Sequence, residues 1–397
     1  MSQLSTSWAT KRLDEVSKVV NGGTPKTKVE EYWGEKHCWI TPAEMGKRAT
    51  PYVSVTQRKL TDVGLQKCSA TLVPPFSVIM STRAPIGHLV INEETMAFNQ
   101  GCRGLIPSEK LNHKFLYYFL LSNVDLLNEL GTGATFKELS AGKLKSVMIP
   151  APPLPEQKRI VAILEEAFAG IATATANAEK NLQNARELFE NHLQSVFINK
   201  SEEWVEKKLG EVYDVRDGTH DSPKYQSTGY ALITSKNLKR DGLNFDKVKY
   251  ISEKDYLKIN ERSAVHKGDV LFAMIGTIGN PIVVEVEPDF AIKNVALFKV
   301  TDKDDSYFLK YYLQTDYAIS KMQSEAKGTT QKFVGLGYLR GFPIAVPPLQ
   351  VQQVIVAKLN ALSAETNRLE TIYQKKLDDL VELKRSILQK AFAGELH

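Results

Sequence analysis

Two long stretches of this chain carry apolar residues at a seven-residue spacing. Over 155–198, Phe168, Thr175, Leu182, Phe189 and Val196 recur at every seventh position, interleaved with Leu164, Ile171, Ala178 and Ala185. Over 350–393, Leu359, Thr366, Tyr373, Leu380 and Ile387 do the same, interleaved with Leu362, Leu369 and Leu383. A stripe of this period predicts long helices that bury one seam against a helical partner. At about 1.5 Å per residue such a helix runs to roughly 65 Å, more than a domain of ordinary size can cover. The two helices are therefore expected to pair with each other. An antiparallel pairing, which the stripe does not itself dictate, would put a domain at each end, related by a pseudo-two-fold axis.

The remaining chain reads differently. Short β-type runs such as 77–80 and 270–273 mix with helical stretches near 113–130 and 305–323, and Gly and Pro punctuate both regions. That pattern predicts α+β domains. The chain is also written twice, at an offset near 195 residues. Trp8 to Val16 is echoed by Trp204 to Val212, and Ile79 to Gly87 by Leu271 to Gly279. Gly133-Ala-Thr135-Phe-Lys137 is echoed by Gly328-Thr-Thr330-Gln-Lys332, and Ile149 to Leu154 by Ile344 to Leu349. The organisation that follows is a first α+β domain over 1–153, a spacer helix over 154–203, a second domain over 204–348 and a C-terminal helix over 349–397.

Charge sharpens this division. The net charge is +5, and residues 1–153 hold 18 Lys and Arg against 13 Asp and Glu. The central segment 154–203 holds 5 against 8, and 204–348 holds 21 against 19. Positive excess thus lies in the two domains and not in the helix between them, which suits a polyanionic partner touched by the domains. No apolar run reaches the roughly 18 residues of a membrane span, and the polar start lacks a signal-peptide core. A cytoplasmic location with no membrane partner is expected. Cys38, Cys68 and Cys102 form no CxxC pair, so reduced structural thiols are expected rather than a zinc site.

Catalytic motifs are missing. The sequence holds no phosphate loop, no HExxH zinc pair and no GxSxG nucleophile turn. Asn280-Pro281 continues into Ile282-Val283, unlike the Asn-Pro-Pro-aromatic box of adenine methyltransferases. The seven histidines are scattered without ligand spacing. A binding role fits better than an enzymatic one, with no metal site.

Two variable domains, each followed by a long helix introduced by Pro152-Pro-Leu-Pro-Glu-Gln157 or Pro347-Pro-Leu-Gln-Val-Gln352, resemble the DNA specificity subunit of type I restriction-modification systems. The segment from Asn21-Gly-Gly-Thr-Pro25 to Trp39-Ile-Thr-Pro42 and the tail Ala391-Phe-Ala-Gly-Glu-Leu396 are also similar to that family. The resemblance implies that each domain is a target recognition domain reading one half of a bipartite site in double-stranded DNA. It implies helices that act as a spacer, two copies of a modification subunit, and restriction motor-nuclease subunits. It implies no cofactor in this chain: S-adenosylmethionine, ATP and Mg belong to the partners. The alternative is a free-standing DNA-binding regulator or architectural protein.

Base readout needs side chains that grip base edges, and affinity needs cations for phosphates. Four polar clusters recur at matching places. The first is Thr24, Lys26 and Lys28 against Thr219, His220 and Lys224. The second is Glu44, Lys47 and Arg48 against Lys236, Asn237, Lys239 and Arg240. The third sets Arg83, beside Ser81 and Thr82, against Thr277, with Ile275 where Arg83 stands. The fourth is Thr135 and Lys137 against Thr330, Gln331 and Lys332. Arg83 follows an apolar run, and a tight turn there would project its guanidinium toward guanine. For the helix seam the expected contacts are Phe168, Ile171, Leu182, Phe189, Leu362, Leu369, Tyr373 and Leu380.

Overall fold

A computed structural model describes residues 8–133, 137–240, 242–328 and 331–396. The heptad stretches form helices Leu154–Ile198, here the central helix, and Leu349–Ala393, the terminal helix, of 45 residues each. Both begin directly after a Pro-Pro pair, whose rings cannot continue the strand ladder and suit a helix entrance. The chain divides into two compact units. One comprises Met1–Glu179 with Lys375–His397, the other Lys180–Gln374.

Each unit holds the first part of one long helix and the last part of the other, so the pairing is antiparallel. In the first unit Arg159 donates to the Leu396 carbonyl at 2.7 Å, and the Lys384 ammonium lies 5.1 Å from the Phe168 ring centre. In the second unit Arg186 pairs with Glu370 at 3.0 Å, and Phe189, Leu193 and Phe197 share a core with Val356 and Leu359. Of the expected seam, Ile171, Leu182 and Phe189 are each 9% exposed. Phe168, Leu362, Leu369, Tyr373 and Leu380 are half-buried. Leu383 departs from the reading, since it is 47% exposed while Leu388 and Ala391 are buried. An α-helix drifts about 20° per heptad against a strict seven-residue repeat, which carries late positions off the seam.

The central helix also contains a window apolar enough to cross a membrane by length and composition, with mean hydropathy 1.3. This corrects the expectation that no stretch would qualify. Ala-rich spacing between stripe residues raises the mean. Its Ile160, Val161 and Leu164 sit in the first unit's core, and Glu165 there pairs with Lys114 at 2.7 Å.

Both units repeat one α+β topology. In the first, a five-stranded sheet runs in the order Ser17–Asn21, Cys102–Pro107, Val78–Ser81, Leu89–Asn92, Tyr52–Val53. In the second, the order is Asp214–Asp217, Val295–Lys299, Val270–Ala273, Gly279–Val283. Each unit adds a smaller sheet in which an early strand pairs in parallel with a later one, His37–Ile40 with Met96–Phe98 and Tyr230–Ile233 with Phe290–Ile292. The opening strand of each copy pairs with its closing strand, Thr10–Arg12 with Met148–Pro150 and Val205–Lys208 with Pro343–Val346. Helices His113–Ser122 and Ser306–Gln314, capped by Asn112 and Asp305, cover the larger sheets with Phe115, Leu116, Phe308 and Leu309. The central strands Val78–Ser81 and Val270–Ala273 are buried throughout, and the turns at their ends carry the third polar cluster.

Candidate nucleic-acid interface

The third and fourth clusters meet in both copies. The Ala84 N–H donates to the Lys137 carbonyl at 3.2 Å, and the Gly276 N–H to the Lys332 carbonyl at 2.8 Å. The same backbone bond thus docks the same loop on the same turn. An isolated β-bridge lies beside it, Arg83 with Glu138 in one copy and Ile275 with Phe333 in the other. Thr135 and Thr330 lie outside the described residues.

The first cluster joins this rim through the loop that follows the parallel strand. Thr24 Oγ1 accepts from Asn99 Nδ2 at 3.0 Å and from the Gln100 N–H at 3.2 Å, while the Thr82 N–H donates to Gly101 O at 2.7 Å. In the second copy the Asn294 N–H donates to the Thr219 carbonyl at 3.1 Å, and His220 Nδ1 sits 2.9 Å from Asn294 Oδ1. The other ring nitrogen of His220 faces Asp217 at 2.9 Å, and Arg262 pairs with the same carboxylate. Lys26 and Lys224 are exposed on the adjoining loops.

The second cluster behaves unevenly. Lys236 and Lys239 are exposed and face a cleft of about 930 Å³, which also takes in Thr277 and Gln331. Asn237 lines it too but is 7% exposed and internally satisfied. Its carbonyl accepts from the Thr234 N–H and hydroxyl at 3.0 and 2.9 Å, and its amide donates to Asn244 O at 3.0 Å. Asn237 therefore holds a turn. Arg240 points to the terminal helix, 3.7 Å from Glu370. In the first copy Lys47 is exposed beside a smaller hollow of about 490 Å³. Arg48 is tied down by two bonds to the Tyr52 carbonyl, at 3.2 and 3.1 Å. Burial raises the Glu44 carboxyl above its ordinary range, against the pull of Arg48 and a backbone N–H.

Sequence reasoning missed three cations. Lys247, Lys249 and Lys293 line the larger cleft, which among the described residues gathers five lysines against one carboxylate, Asp246. The Lys249 ammonium lies 4.1 Å from the Tyr225 ring centre. Lys293 donates to Asp221 O at 2.9 Å and to Ser222 Oγ. The one signal was the alternation Asp246-Lys-Val-Lys249, which places two lysines two positions apart at the entry to the strand Lys249–Ile251. A concave surface of this charge focuses positive potential and suits phosphates. Among the described residues, no three His, Cys, Asp or Glu side chains group as a metal site.

The model of the type I restriction modification DNA specificity domain matches this chain twice, over residues 6–183 and 201–382. The type I restriction enzyme MjaIX specificity subunit of Methanocaldococcus jannaschii is 26% identical over 422 residues, taking in 100% of this chain and 95% of that protein. The EcoBI specificity subunit of Escherichia coli is 23% identical, over 82% of this chain and 74% of its own length. Two solved structures share the fold. One, from work on complex assembly and conformational transition of the type I R-M system, has a TM-score of 0.79 at 20% identity and covers 100% of both chains. The other, the HsdS subunit from Thermoanaerobacter tengcongensis, has a TM-score of 0.65 at 19% identity and covers 100% of this chain and 99% of its own. Each family match spans one α+β copy with most of the long helix after it, and the chain belongs to the DNA specificity family of type I restriction-modification systems.

Proposed function

We propose that this chain recognises a bipartite double-stranded DNA target, one half-site per α+β domain, and directs the partner subunits of a type I complex to it. The observation that carries this reading is the duplicated rim. One backbone scaffold presents different side chains in each copy, Arg83 and Glu138 in the first and Ile275 and Phe333 in the second, beside an equivalent lysine, Lys137 or Lys332. A shared scaffold with divergent tips is what two different half-sites require, because phosphate contacts position and base contacts specify. Specified bases are read in the major groove, where each pair shows a distinct pattern.

On this reading the chain is non-catalytic and acts in the cytoplasm. Two copies of a modification subunit carry S-adenosylmethionine and the adenine N6-methylation, and restriction motor-nuclease subunits use ATP and Mg. The chain itself contributes cations for phosphates, polar tips for bases, and long helices that set the spacing between half-sites. The test is co-expression with type I modification subunits in a methylation-deficient host, followed by methylome sequencing. A bipartite methylated motif that appears only with this chain is the expected result. Methyl transfer by the purified chain alone would overturn the division of labour.

A further inference from the structure

One bridge position differs in chemistry between the two copies while its backbone is the same. In the first domain Arg83 Nε lies 3.2 Å from Glu138 Oε2. Arg103, largely buried, brings Nη2 to 4.0 Å from the other Glu138 oxygen and donates Nη1 to the Gln100 and Cys102 carbonyls. Glu138 is thereby set between an inner guanidinium and an outer one. The Arg83 stem rests on the loop below, so close that a Cβ at Gly101 would stand 3.3 Å from Arg83 Cδ. The Arg83 side chain is 48% exposed, and among the described residues no group besides Glu138 pairs with it. Its Nε side faces Glu138 in an ion pair, and about half of the side chain is open to solvent. A guanidinium paired with a carboxylate before binding loses less freedom on contact, and its fork matches O6 and N7 of guanine.

In the second domain Ile275 and Phe333 occupy that bridge, and Phe333 is 40% exposed. Both members of the charged pair are replaced together by apolar groups. Ile275 also forms part of the wall of the lysine-rich cleft. An apolar tip amid phosphate-binding cations suits the C5-methyl of thymine, which marks that base in the major groove.

We propose that this bridge selects the class of base read by each domain. Arg83, positioned by Glu138, reads a guanine in one half-site, and Ile275 with Phe333 meets a thymine methyl in the other. The inference rests on the DNA-recognition reading above, and the experiment separates the two. The parent chain and its variants are co-expressed with type I modification subunits, and the methylated motif of each is mapped. A parent that directs no bipartite motif overturns both readings. Given a parent motif, Arg83→Ala and Glu138→Gln are expected to relax one guanine of one half-site, with discrimination there falling about 5- to 150-fold. All other positions should hold. Phe333→Ala should relax one thymine of the other half only. Arg83→Lys keeps the charge and the fold but lacks the fork, so it should relax the same guanine. The double substitution Arg83→Ile with Glu138→Phe should move that position from guanine toward thymine. The inference is overturned if Arg83→Lys and Glu138→Gln both leave the motif unchanged, or if Arg83→Ala weakens methylation evenly across all sites.

Discussion

Gln157 and Gln352 occupy equivalent places and make equivalent bonds. Gln157 accepts from the Asn112 N–H at 2.8 Å and donates to the Lys110 and Pro152 carbonyls at 3.0 and 2.8 Å. Gln352 accepts from the Asp305 N–H at 2.9 Å and donates to Asp304 Oδ1 and Pro347 O, both at 3.0 Å. Each fastens the start of a long helix to the cap of the helix that covers the sheet. Both are 1% exposed, so removal takes away bonds made at buried side chains. Gln157→Ala or Gln352→Ala should each cost about 1–3 kcal/mol, read as a lower denaturation midpoint. An unchanged midpoint would show that these bonds are dispensable.

Two further residues make separable claims. Burial pushes the Cys102 thiol up to about 12, and the reactive form is the thiolate. Peptide mapping after iodoacetamide at pH 8 should find Cys102 unmodified in the folded chain and modified after denaturation. Lys137 is exposed on the docked loop. As a phosphate contact, Lys137→Ala should weaken binding to all sequences alike and lower the salt slope by about one unit. A slope equal to the parent's would make Lys137 an ordinary solvated turn residue.

Among the elements, the long helices were the most legible, because a seven-residue stripe reports local geometry directly. Strands such as Trp33–Gly34 and Tyr52–Val53 span two residues each. They exist through tertiary pairing, and no period can show in so short a run. The same limit governs the site. Residue type marked Lys236, Thr277 and Gln331 as polar tips, and the fold gathers them in one cleft. It could not show that the Asn237 amide is consumed by its own turn, or that Arg240 turns toward Glu370. Lys293 was invisible because its neighbours at the cleft come from distant segments. The helices carry their own prediction. One in-register heptad inserted into both adds about 10 Å, at most about three base pairs of duplex. Only the unspecified gap of the methylated motif should lengthen. An active variant with the parent gap would assign the spacing to something else.

At the scale of the whole molecule, the chain is a duplication with divergence. The same order of four strands in the larger sheet, parallel strand pair, closing strand pair and buried glutamine occur in both copies, while the tips that would meet bases differ. Recognition should therefore be modular. The most direct measurement replaces residues 1–153 with the first recognition domain of another member of this family, and maps the methylated motif in cells holding the modification subunits. One half-site should change to that of the donor, with the other half-site and the gap retained. A change in both half-sites would contradict independent reading by the two domains.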